Sequence, residues 1–463
     1  MGTATSGVDR ETVAQRRQRG RALRKEVPRS SHGEWVPAPD RPDPVALVEG
    51  QNADRLDWLV PVRRGRMSVS AFTFYRAAAR IMATDLATTP VTGLTVQTCG
   101  DAHLSNFGAY ASPERRLVFD VNDFDETLPG PWEWDLKRMA ASFVIAGRDR
   151  GFDAKDSRAA AERAVSSYRD AMAQFADMNT LDLWYAHLEV ERIESAVTGK
   201  GARRIDKFTR KAKSKDSLRE LSKLTETVDG VPRIMSDPPV LVPLREMTGV
   251  HHPDALRQTA VEAFASYRTS LANDRRRLLD RFEVVDMALK VVGVGSVGTR
   301  CLILLLTGRD ADDPLFLQIK EASASVLEEH LPASTYKNSG ARVVWGQRLM
   351  QSSSDIFLGW SKPSPDGRYY YWRQLKDWKG SVDLDGVKPN GLTRYASVCG
   401  WTLARTHARS GDPVAIAGYL GSGDAIVRGV GDFAEAYADQ NDADYAAFQR
   451  AIDEDGLEVV SGE

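Results

Sequence analysis

At about Arg281 the hydrophobic pattern of the chain changes from helical spacing to strand spacing, and this change constrains the fold more than any other feature. After it come FEVVDMALKVVGVGSVGTRCLILLLTG and LFLQIKEAS, two apolar runs of β character joined by the turn-forming GRDADDP. A chain of 463 residues also exceeds what one hydrophobic core usually serves. The sequence therefore predicts an α+β protein with two lobes, one mainly helical and one rich in strands.

The same patterns predict the domain boundaries. Residues 1–45 are rich in Arg, Ser, Pro and Asp without an apolar period, which indicates a disordered or loosely packed lead-in. We expect a mainly helical lobe over residues 46–280 and a β-rich lobe over residues 281–386. Residues 387–463 regain helical spacing and are predicted to return to the first lobe.

The composition excludes several classes of protein. A formal net charge of −2 supplies no long-range field for a nucleic acid or a membrane surface, so neither partner is expected. The three cysteines, Cys99, Cys301 and Cys399, are neither clustered nor spaced as metal ligands, which argues against a disulfide framework or a structural zinc site. No apolar run reaches the length of a bilayer span, and the amino terminus lacks the features of a secretory signal, so we expect a cytoplasmic protein.

Two polar segments in the helical region carry groups suited to phosphoryl transfer. GDAHLSN places Asp101 five residues before Asn106, and FDVNDFDET, one strand later, contains Asp123 and Asp125. Phosphoryl transfer from ATP needs a carboxylate to orient or deprotonate the acceptor hydroxyl, and oxygen ligands to hold Mg²⁺ against the phosphates. Since Asp and Asn also form ordinary turns, each segment taken alone is explained equally well as a loop that caps itself.

A glycine-rich segment and a lysine after it are further candidates for a nucleotide site. Gly293, Gly295 and Gly298, with Ser296 among them, match a pattern that fits a dinucleotide-binding turn, a phosphate-covering kinase loop or a plain tight turn. A dinucleotide-binding turn must open a helix, but the CLILLLTG that follows lacks helical spacing, so we expect a β-hairpin instead. Lys320 then lies in the apolar strand LFLQIKEA, where its charge needs partners such as the phosphates of ATP.

GDAHLSN and the strand after it resemble the catalytic and metal-binding loops of aminoglycoside- and choline-kinase-like enzymes, in which Gly-Asp-x-His-x-x-Asn leads into a strand ending in Ile-Asp-Phe or Ile-Asp-Trp. The resemblance implies that Asp101 is the catalytic base and that Asn106 and Asp123 are Mg²⁺ ligands. It also implies that Lys320 and the 293–298 loop bind ATP. The repeated acids leave the register of the main metal ligand open, with three alternatives: Asp125, Asp120 and Asn122.

Other residues are assigned roles in such a site. Asp135, in GPWEWDLKR, would accept hydrogen bonds from the catalytic loop or cap its own helix. Glu328 is preferred over Glu321 and Glu329 as the ion-pair partner of Lys320. The candidates for contact with phosphate or acceptor are Arg300, Arg348, Arg373 and Lys376.

The order of the segments is unusual for a kinase. In ordinary kinases the glycine loop and its lysine precede the catalytic loop, whereas here they follow it by roughly two hundred residues. Because domain termini commonly lie close together, we expect a circularly permuted, two-lobed protein-kinase-like fold, with the catalytic lobe first and the glycine-loop β lobe second. WTLARTHARSGD near the end of the chain resembles the Leu-Ala-x-x-His helix that precedes the catalytic strand in aminoglycoside-kinase-like proteins, which supports the permutation.

The chain as a whole also resembles an uncharacterised bacterial family, the domain of unknown function 2252. The blocks that carry this resemblance are RGRMSVSAFTFYR, GDAHLSNFG, FDVNDFDET, GPWEWDLKR, VVGVGSVGTR, IKEA, GQRLMQSSSDIFLGW, YYYWRQLKDWKGS and LARTHARSGD. That family name implies no activity. The motifs predict an ATP- and Mg²⁺-dependent phosphotransferase acting on a small-molecule hydroxyl, and the alternatives are nucleotidyl transfer from the same site and a nucleotide-binding pseudokinase or sensor without turnover.

Overall fold

The structure is a computed structural model that describes residues 11–195, 200–215, 217–228, 230–247, 253–375 and 377–460. It is an α+β protein in which helices are combined with several antiparallel sheets. The change of pattern near Arg281 coincides with the start of a long strand, as predicted. None of the helices in the ranges above combines the length and the apolar character that crossing a bilayer requires.

The helices are, in chain order, α1 (Val13–Glu26), α2 (Pro44–Gly50), α3 (Val60–Met67), α4 (Ala71–Tyr75), α5 (Ala79–Leu86), α6 (Trp132–Asp149), α7 (Ala154–Ala176), α8 (Thr180–Tyr185), α9 (Val190–Ser195), α10 (Lys200–Lys213), α11 (Ser217–Leu224), α12 (Pro253–Thr269), α13 (Asn273–Leu279), α14 (Ser339–Met350), α15 (Pro389–Ser410), α16 (Pro413–Leu420) and α17 (Ala425–Asp453). Side-chain caps stabilise many of their first turns: Asp153 accepts from the amide of Asp156 in α7, and Asn338 accepts from the amide of Ala341 in α14.

The strands are β1 (Thr95–Thr98), β2 (Phe107–Ala111), β3 (Leu117–Val121), β4 (Leu128–Pro131), β5 (Leu188–Glu189), β6 (Thr225–Val228), β7 (Val231–Ile234), β8 (Leu241–Pro243), β9 (Glu283–Lys290), β10 (Cys301–Thr307), β11 (Pro314–Ala322), β12 (Gly359–Trp360), β13 (Tyr369–Gln374) and β14 (Gly380–Ser381). They form four sheets: β1-β4, β12-β13-β11-β10-β9-β8, β14-β2-β3-β5 and β6-β7.

The largest sheet is antiparallel and has two different faces. Lys320 on β11 pairs with Cys301 on β10 and with Tyr371 on β13, so these side chains share one face. The opposite face is apolar, and there Trp372 stacks on Tyr267 of α12 with ring centroids 4.6 Å apart. Strand β8 and helix α12 both precede residue 281, so the elements that build and cover this sheet begin earlier in the chain than the change of pattern indicates.

Two smaller pairings bring the polar segments together. Thr98, the last residue of β1, pairs with Leu128, the first residue of β4. The loop after β1 and the loop before β4 therefore leave this two-stranded sheet at the same end. Between them, β2 and β3 form an antiparallel hairpin, whereas the sequence indicates a single strand between the two polar segments.

The lead-in differs from the expectation of a disordered or loosely packed segment. Helix α1 packs against α16, and a Cβ at Gly20 would overlap the carbonyl oxygen of Ala415, so only glycine permits this approach. Arg16 pairs with Asp412 at 2.5 Å, and Arg24 donates to the carbonyl of Tyr419 at 2.8 Å. Polar groups and a glycine hold this helix in place, which explains why the segment shows no apolar period.

Candidate functional site

The loop after β1 holds Asp101 in a position that helix α6 defines. Arg138 of α6 donates from Nε to Oδ1 of Asp101 at 2.6 Å, and its Nη2 lies 2.5 Å from the same oxygen in an ion pair. The side chain of Asp101 keeps 21% of its surface exposed. Burial raises the pKa of Asp101, and Arg138 offsets that effect only in part. The side-chain amide nitrogen of Asn106 donates to the backbone carbonyl of Asp101 at 2.7 Å, and this bond connects the two ends of the loop.

Asp135 fixes the backbone just before Asp101. Its carboxylate accepts from the amides of Cys99 at 2.8 Å and Gly100 at 3.0 Å, which confirms the predicted bond to this loop. His407 of α15 lies with Nε2 3.1 Å from the same carboxylate. Helix α15, from near the end of the chain, therefore packs directly behind the loop that carries Asp101.

The loop before β4 meets strand β11. Lys320 is buried, with 3% of its side chain exposed, and its Nζ lies 2.5 Å from Oδ2 of Asp125 and 3.9 Å from Oδ2 of Asp123. Tyr371 donates to Oδ1 of Asp125 at 2.7 Å. Burial alone would lower the pKa of Lys320, but the two carboxylates raise it well above its ordinary value. The lysine is therefore held charged in a buried place.

The structure separates the alternatives for the main metal ligand. Asp120 is fully buried, 2.5 Å from Nη2 of Arg405, and also accepts from the amide of Ser352 at 3.0 Å. It is therefore a partner in a buried ion pair with Arg405. Asp123 and Asp125 instead keep 34% and 29% of their side chains exposed beside the lysine.

The predicted ion-pair partner of Lys320 is wrong. Glu328 accepts from the amides of Ser325 and Ser334 and caps its own turn. The other two candidates pair elsewhere: Glu321 with Arg300 and Arg368, and Glu329 with Arg80. The carboxylate that meets the lysine, Asp125, comes from a different lobe of the predicted organisation, so local spacing around Lys320 carries no signal for it.

The glycine segment lies in the hairpin between β9 and β10. A strand follows Gly298 where a dinucleotide-binding turn would place a helix. Gly293 and Gly298 have φ of +67° and +88°, values that favour glycine. Because Cys301 pairs with Lys320, the segment ends next to the lysine. Ser296 accepts through its carbonyl from the hydroxyl of Thr299 at 2.8 Å, so this residue contributes to the turn itself.

Residues from before α4 hold the glycine segment on its outer side. Val297 is buried against Leu59 and Val62. Arg55 donates to the carbonyl of Val297 at 2.5 Å, and Arg66 donates to the carbonyl of Gly293 at 2.7 Å. The hairpin is therefore anchored to the amino-terminal helices.

Two further cations extend the site beyond Lys320. Arg373 donates from Nε to Gln318 at 3.0 Å and from Nη1 to the carbonyl of Asn122 at 3.3 Å. Lys379 is half-buried, and the positive charge of Arg373, followed by burial, lowers its pKa to about 7. A cavity of about 440 Å³ adjoins them, and its polar lining includes Tyr110, Ser112, Asn122, Gln351, Asp355, Arg373 and Lys379.

The remaining basic candidates lie elsewhere. Arg300 pairs with Glu321 at 3.3 Å, and Arg348 donates to the carbonyl of Leu358 at 2.6 Å. Lys376 is outside the described residues. Of the three candidates that the structure describes, Arg373 alone is within reach of the aspartates, because it shares the sheet face of Lys320.

The donor set suits one kind of metal site. Across the described residues no cluster of three or more His, Cys, Asp or Glu side chains could hold a metal ion by itself. Mg²⁺ is commonly held by one or two carboxylates together with waters and substrate phosphates. The half-exposed carboxylates of Asp123 and Asp125 fit that pattern, and the side-chain amide of Asn106, on the neighbouring loop, is a third oxygen donor.

Comparison with known proteins identifies the family. The model of DUF2252, described as an uncharacterized protein conserved in bacteria, matches residues 55–451. The chain belongs to DUF2252. The matched residues include both polar loops, the glycine hairpin, Lys320 and helix α15. No curated protein and no solved structure gives a significant match to this DUF2252 protein.

Three site residues of this DUF2252 protein were missed in the sequence. Arg138 lies one helical turn after Asp135 in GPWEWDLKR, so helical spacing could have placed both beside the same loop. Lys379 follows a strand, and no motif or spacing in its segment indicates a site residue. Arg76, the last residue of RGRMSVSAFTFYR, interacts electrostatically with Asp101, although nothing in its own segment indicates a site.

Proposed function

We propose that this DUF2252 protein is an ATP- and Mg²⁺-dependent phosphotransferase that acts on the hydroxyl of a small molecule. One observation carries the proposal: Lys320 of the glycine-hairpin sheet meets Asp123 and Asp125 of the acidic loop. A charged lysine beside two half-exposed carboxylates matches what a magnesium-bound polyphosphate needs, since the cation faces phosphate and the carboxylates face the metal.

The arrangement of strands supports a kinase-like, circularly permuted fold. In protein kinases a glycine-rich loop covers the phosphates and the lysine lies on the third strand. Here the glycine hairpin joins β9 and β10, Lys320 lies on the next strand, β11, and helix α14 follows. Helix α15 packs against the Asp135 carboxylate although it comes after the sheet in sequence, which is the arrangement that a permutation predicts.

Each residue has a distinct part in the proposed reaction. ATP would supply the γ-phosphoryl group, whose bond to the β,γ-bridging oxygen breaks as the acceptor oxygen bonds to phosphorus and ADP leaves. Asp101 would orient the acceptor hydroxyl and take its proton, and its raised pKa suits a proton acceptor. Asp123, Asp125 and Asn106 would hold Mg²⁺, while Lys320 and the glycine hairpin would bind the phosphates.

One observation favours a second candidate, a nucleotide-binding protein without turnover. In protein kinases the lysine pairs with a glutamate of the following helix. Helix α14 has the sequence SGARVVWGQRLM, which contains no acidic residue, and Lys320 is paired with Asp125 instead. A pairing between the lysine and a proposed metal ligand would have to open before both could engage phosphate and metal.

An assay of Mg²⁺-dependent ATP binding and ADP formation tests the proposal. We expect the wild type to bind and turn over ATP, Asp123→Asn to lose both, and Asp101→Asn to bind ATP normally with turnover reduced roughly 10²- to 10⁴-fold. Binding without turnover in the wild type selects the second candidate. Unchanged binding and turnover in Asp123→Asn contradicts the proposal, and the mass added to a modified acceptor distinguishes phosphoryl from nucleotidyl transfer.

A further inference from the structure

The side chain of one arginine of the site forms no hydrogen bond or ion pair with a described residue; its guanidinium carbon lies 6.0 Å from the centroid of the Phe72 ring. Arg76 lies between α4 and α5, and its guanidinium makes no ion pair or hydrogen bond with any residue in the described ranges. Its Nε is covered by protein and has no hydrogen-bond partner there, although the residue as a whole is only half-buried. Covering a guanidinium nitrogen that lacks a hydrogen-bond partner is costly, and the charge of Asp101 offsets that cost only in part.

Arg76 is close to the glycine hairpin through its backbone and to Asp101 through its charge. A Cβ placed on Gly295 would be 3.4 Å from the carbonyl oxygen of Arg76, so the hairpin touches this point of the chain. On the other side, Asp101 is the carboxylate that acts on Arg76: burial lowers the pKa of the arginine, and Asp101 offsets part of that shift. Geometry supports this second link, because Arg138, which holds Asp101, also donates to the carbonyl of Tyr75, the residue before Arg76, at 3.1 Å.

The positive groups of the site divide into two sets. The charges of Asp123 and Asp125 interact with those of Lys320, Arg373 and Lys379, at the end of the site where phosphates would bind. Arg76 and Arg138 act on Asp101, at the end where the acceptor hydroxyl would lie. Arg138 already donates from Nε to Asp101 and from Nη2 to the carbonyl of Tyr75, which leaves Arg76 as the cation still able to bind a ligand there.

We propose that the acceptor carries an anionic group, a phosphate or a carboxylate, and that Arg76 binds this group beside Asp101. The inference rests on the proposed function, because it names the class of acceptor for the same site. Arginine binds both groups through paired N–H donors, so either would neutralise the unpaired charge. A cationic acceptor, in contrast, would approach an unpaired positive charge next to the base.

Binding of inorganic phosphate tests this without knowing the acceptor. Calorimetric titration of the full chain, saturated with Mg²⁺ and a non-hydrolysable ATP analogue, should show phosphate binding that Arg76→Gln weakens roughly tenfold or more and that Arg76→Lys partly restores. Arg80→Gln is the matched control, since Arg80 lies on the adjacent helix and is already paired with Glu329 at 2.9 Å. Absence of phosphate binding in the wild type, or equal binding in Arg76→Gln, overturns the proposal.

A second measurement separates this inference from the proposed function. If the wild type fails to bind the ATP analogue, the proposed function fails, and phosphate titration of the nucleotide-free chain then compares Arg76→Gln with Lys379→Gln. If only Arg76→Gln loses phosphate binding, the result supports an anion site at Arg76. If both variants lose it equally, or only Lys379→Gln loses it, the result contradicts such a site.

Where the analogue binds, ADP formation is measured with matched acceptors such as glycerol and glycerol 3-phosphate. We expect the anionic member of each pair to be preferred, and to lose that preference in Arg76→Gln. Preference for neutral or cationic members contradicts the proposal.

Discussion

The ammonium nitrogen of Lys320 lies 2.5 Å from Oδ2 of Asp125, although 195 residues separate the two in sequence. The contact joins the face of the large sheet to the loop that ends the β2–β3 hairpin. Oδ2 of Asp123 lies 3.9 Å from the same nitrogen, so one buried cation interacts with two carboxylates. This meeting point is the centre of the proposed site, and it can be tested by energetics as well as by activity.

The Lys320–Asp125 contact should appear as a coupling energy. Lys320→Met removes the cation that the two carboxylates share, and Asp125→Asn removes one carboxylate from a lysine that is buried. We expect each to destabilise the fold, and the double variant to lose less than the sum of the two by about 1–3 kcal/mol. Urea unfolding of the four proteins measures this. Additivity within about 0.5 kcal/mol would show that the contact contributes nothing.

Asp120 and Asp123 should behave oppositely although they lie in the same segment. Asp120→Asn breaks a fully buried ion pair with Arg405, so we expect a loss of about 3–5 kcal/mol in the free energy of unfolding. Asp123→Asn changes a half-exposed carboxylate and should shift stability by less than about 1 kcal/mol while abolishing Mg²⁺-dependent nucleotide binding. Chemical unfolding and calorimetry of both variants decide this, and equal stability losses would contradict the assignment.

Nucleotide affinity should depend on pH through Lys379. The pKa of this lysine is lowered to about 7 by Arg373 and by burial, while Asp123 acts in the opposite direction and Lys320 adds to the lowering. A bound polyphosphate would raise that pKa, so binding takes up a proton and weakens as the pH rises above about 7. We expect the wild type to lose affinity between pH 7 and pH 9 by up to about tenfold per pH unit.

Lys379→Gln is the control for that dependence. The nucleotide's own protonation affects both proteins equally. The difference between their affinities at each pH therefore reports only the contribution of Lys379. Parallel pH profiles for wild type and Lys379→Gln would remove Lys379 from the phosphate site.

Two glycines of the hairpin offer a matched comparison. Both have positive φ, so Gly293→Ala and Gly298→Ala should each cost about 1–2 kcal/mol of local strain. Nothing lies within 4 Å of a Cβ at Gly293, but at Gly298 it would be 3.0 Å from the Cβ of Arg55. Gly298→Ala should therefore also disturb the bond from Arg55 to Val297 and be the more damaging of the two. Thermal unfolding and nucleotide affinity of the two variants test this prediction. A larger loss of stability or affinity in Gly293→Ala than in Gly298→Ala would contradict it.

Parts of the fold followed from local pattern because they depend on local chemistry. The apolar runs on either side of GRDADDP identified β10 and β11, and Gly293 and Gly298 indicated a hairpin before the sheet was known. Where contacts are polar or distant, the pattern was uninformative. The three- and four-residue spacing of apolar residues over 68–86 predicts one helix, but the structure divides this segment into α4 and α5, and Arg76 lies at the break.

The sequence by itself determined the α+β class, the family, the strand that carries Lys320 and the two loops that carry Asp101 and Asp123. Only the tertiary structure decided that Asp125 is the partner of the lysine and that Asp120 is buried with Arg405. It also decided that Nε of Arg76 is covered without a hydrogen-bond partner among the described residues. The physical reason is that periodicity records which face of one element is buried. The pairing of charges across elements depends on how remote segments pack, and that information is absent from any local stretch of sequence.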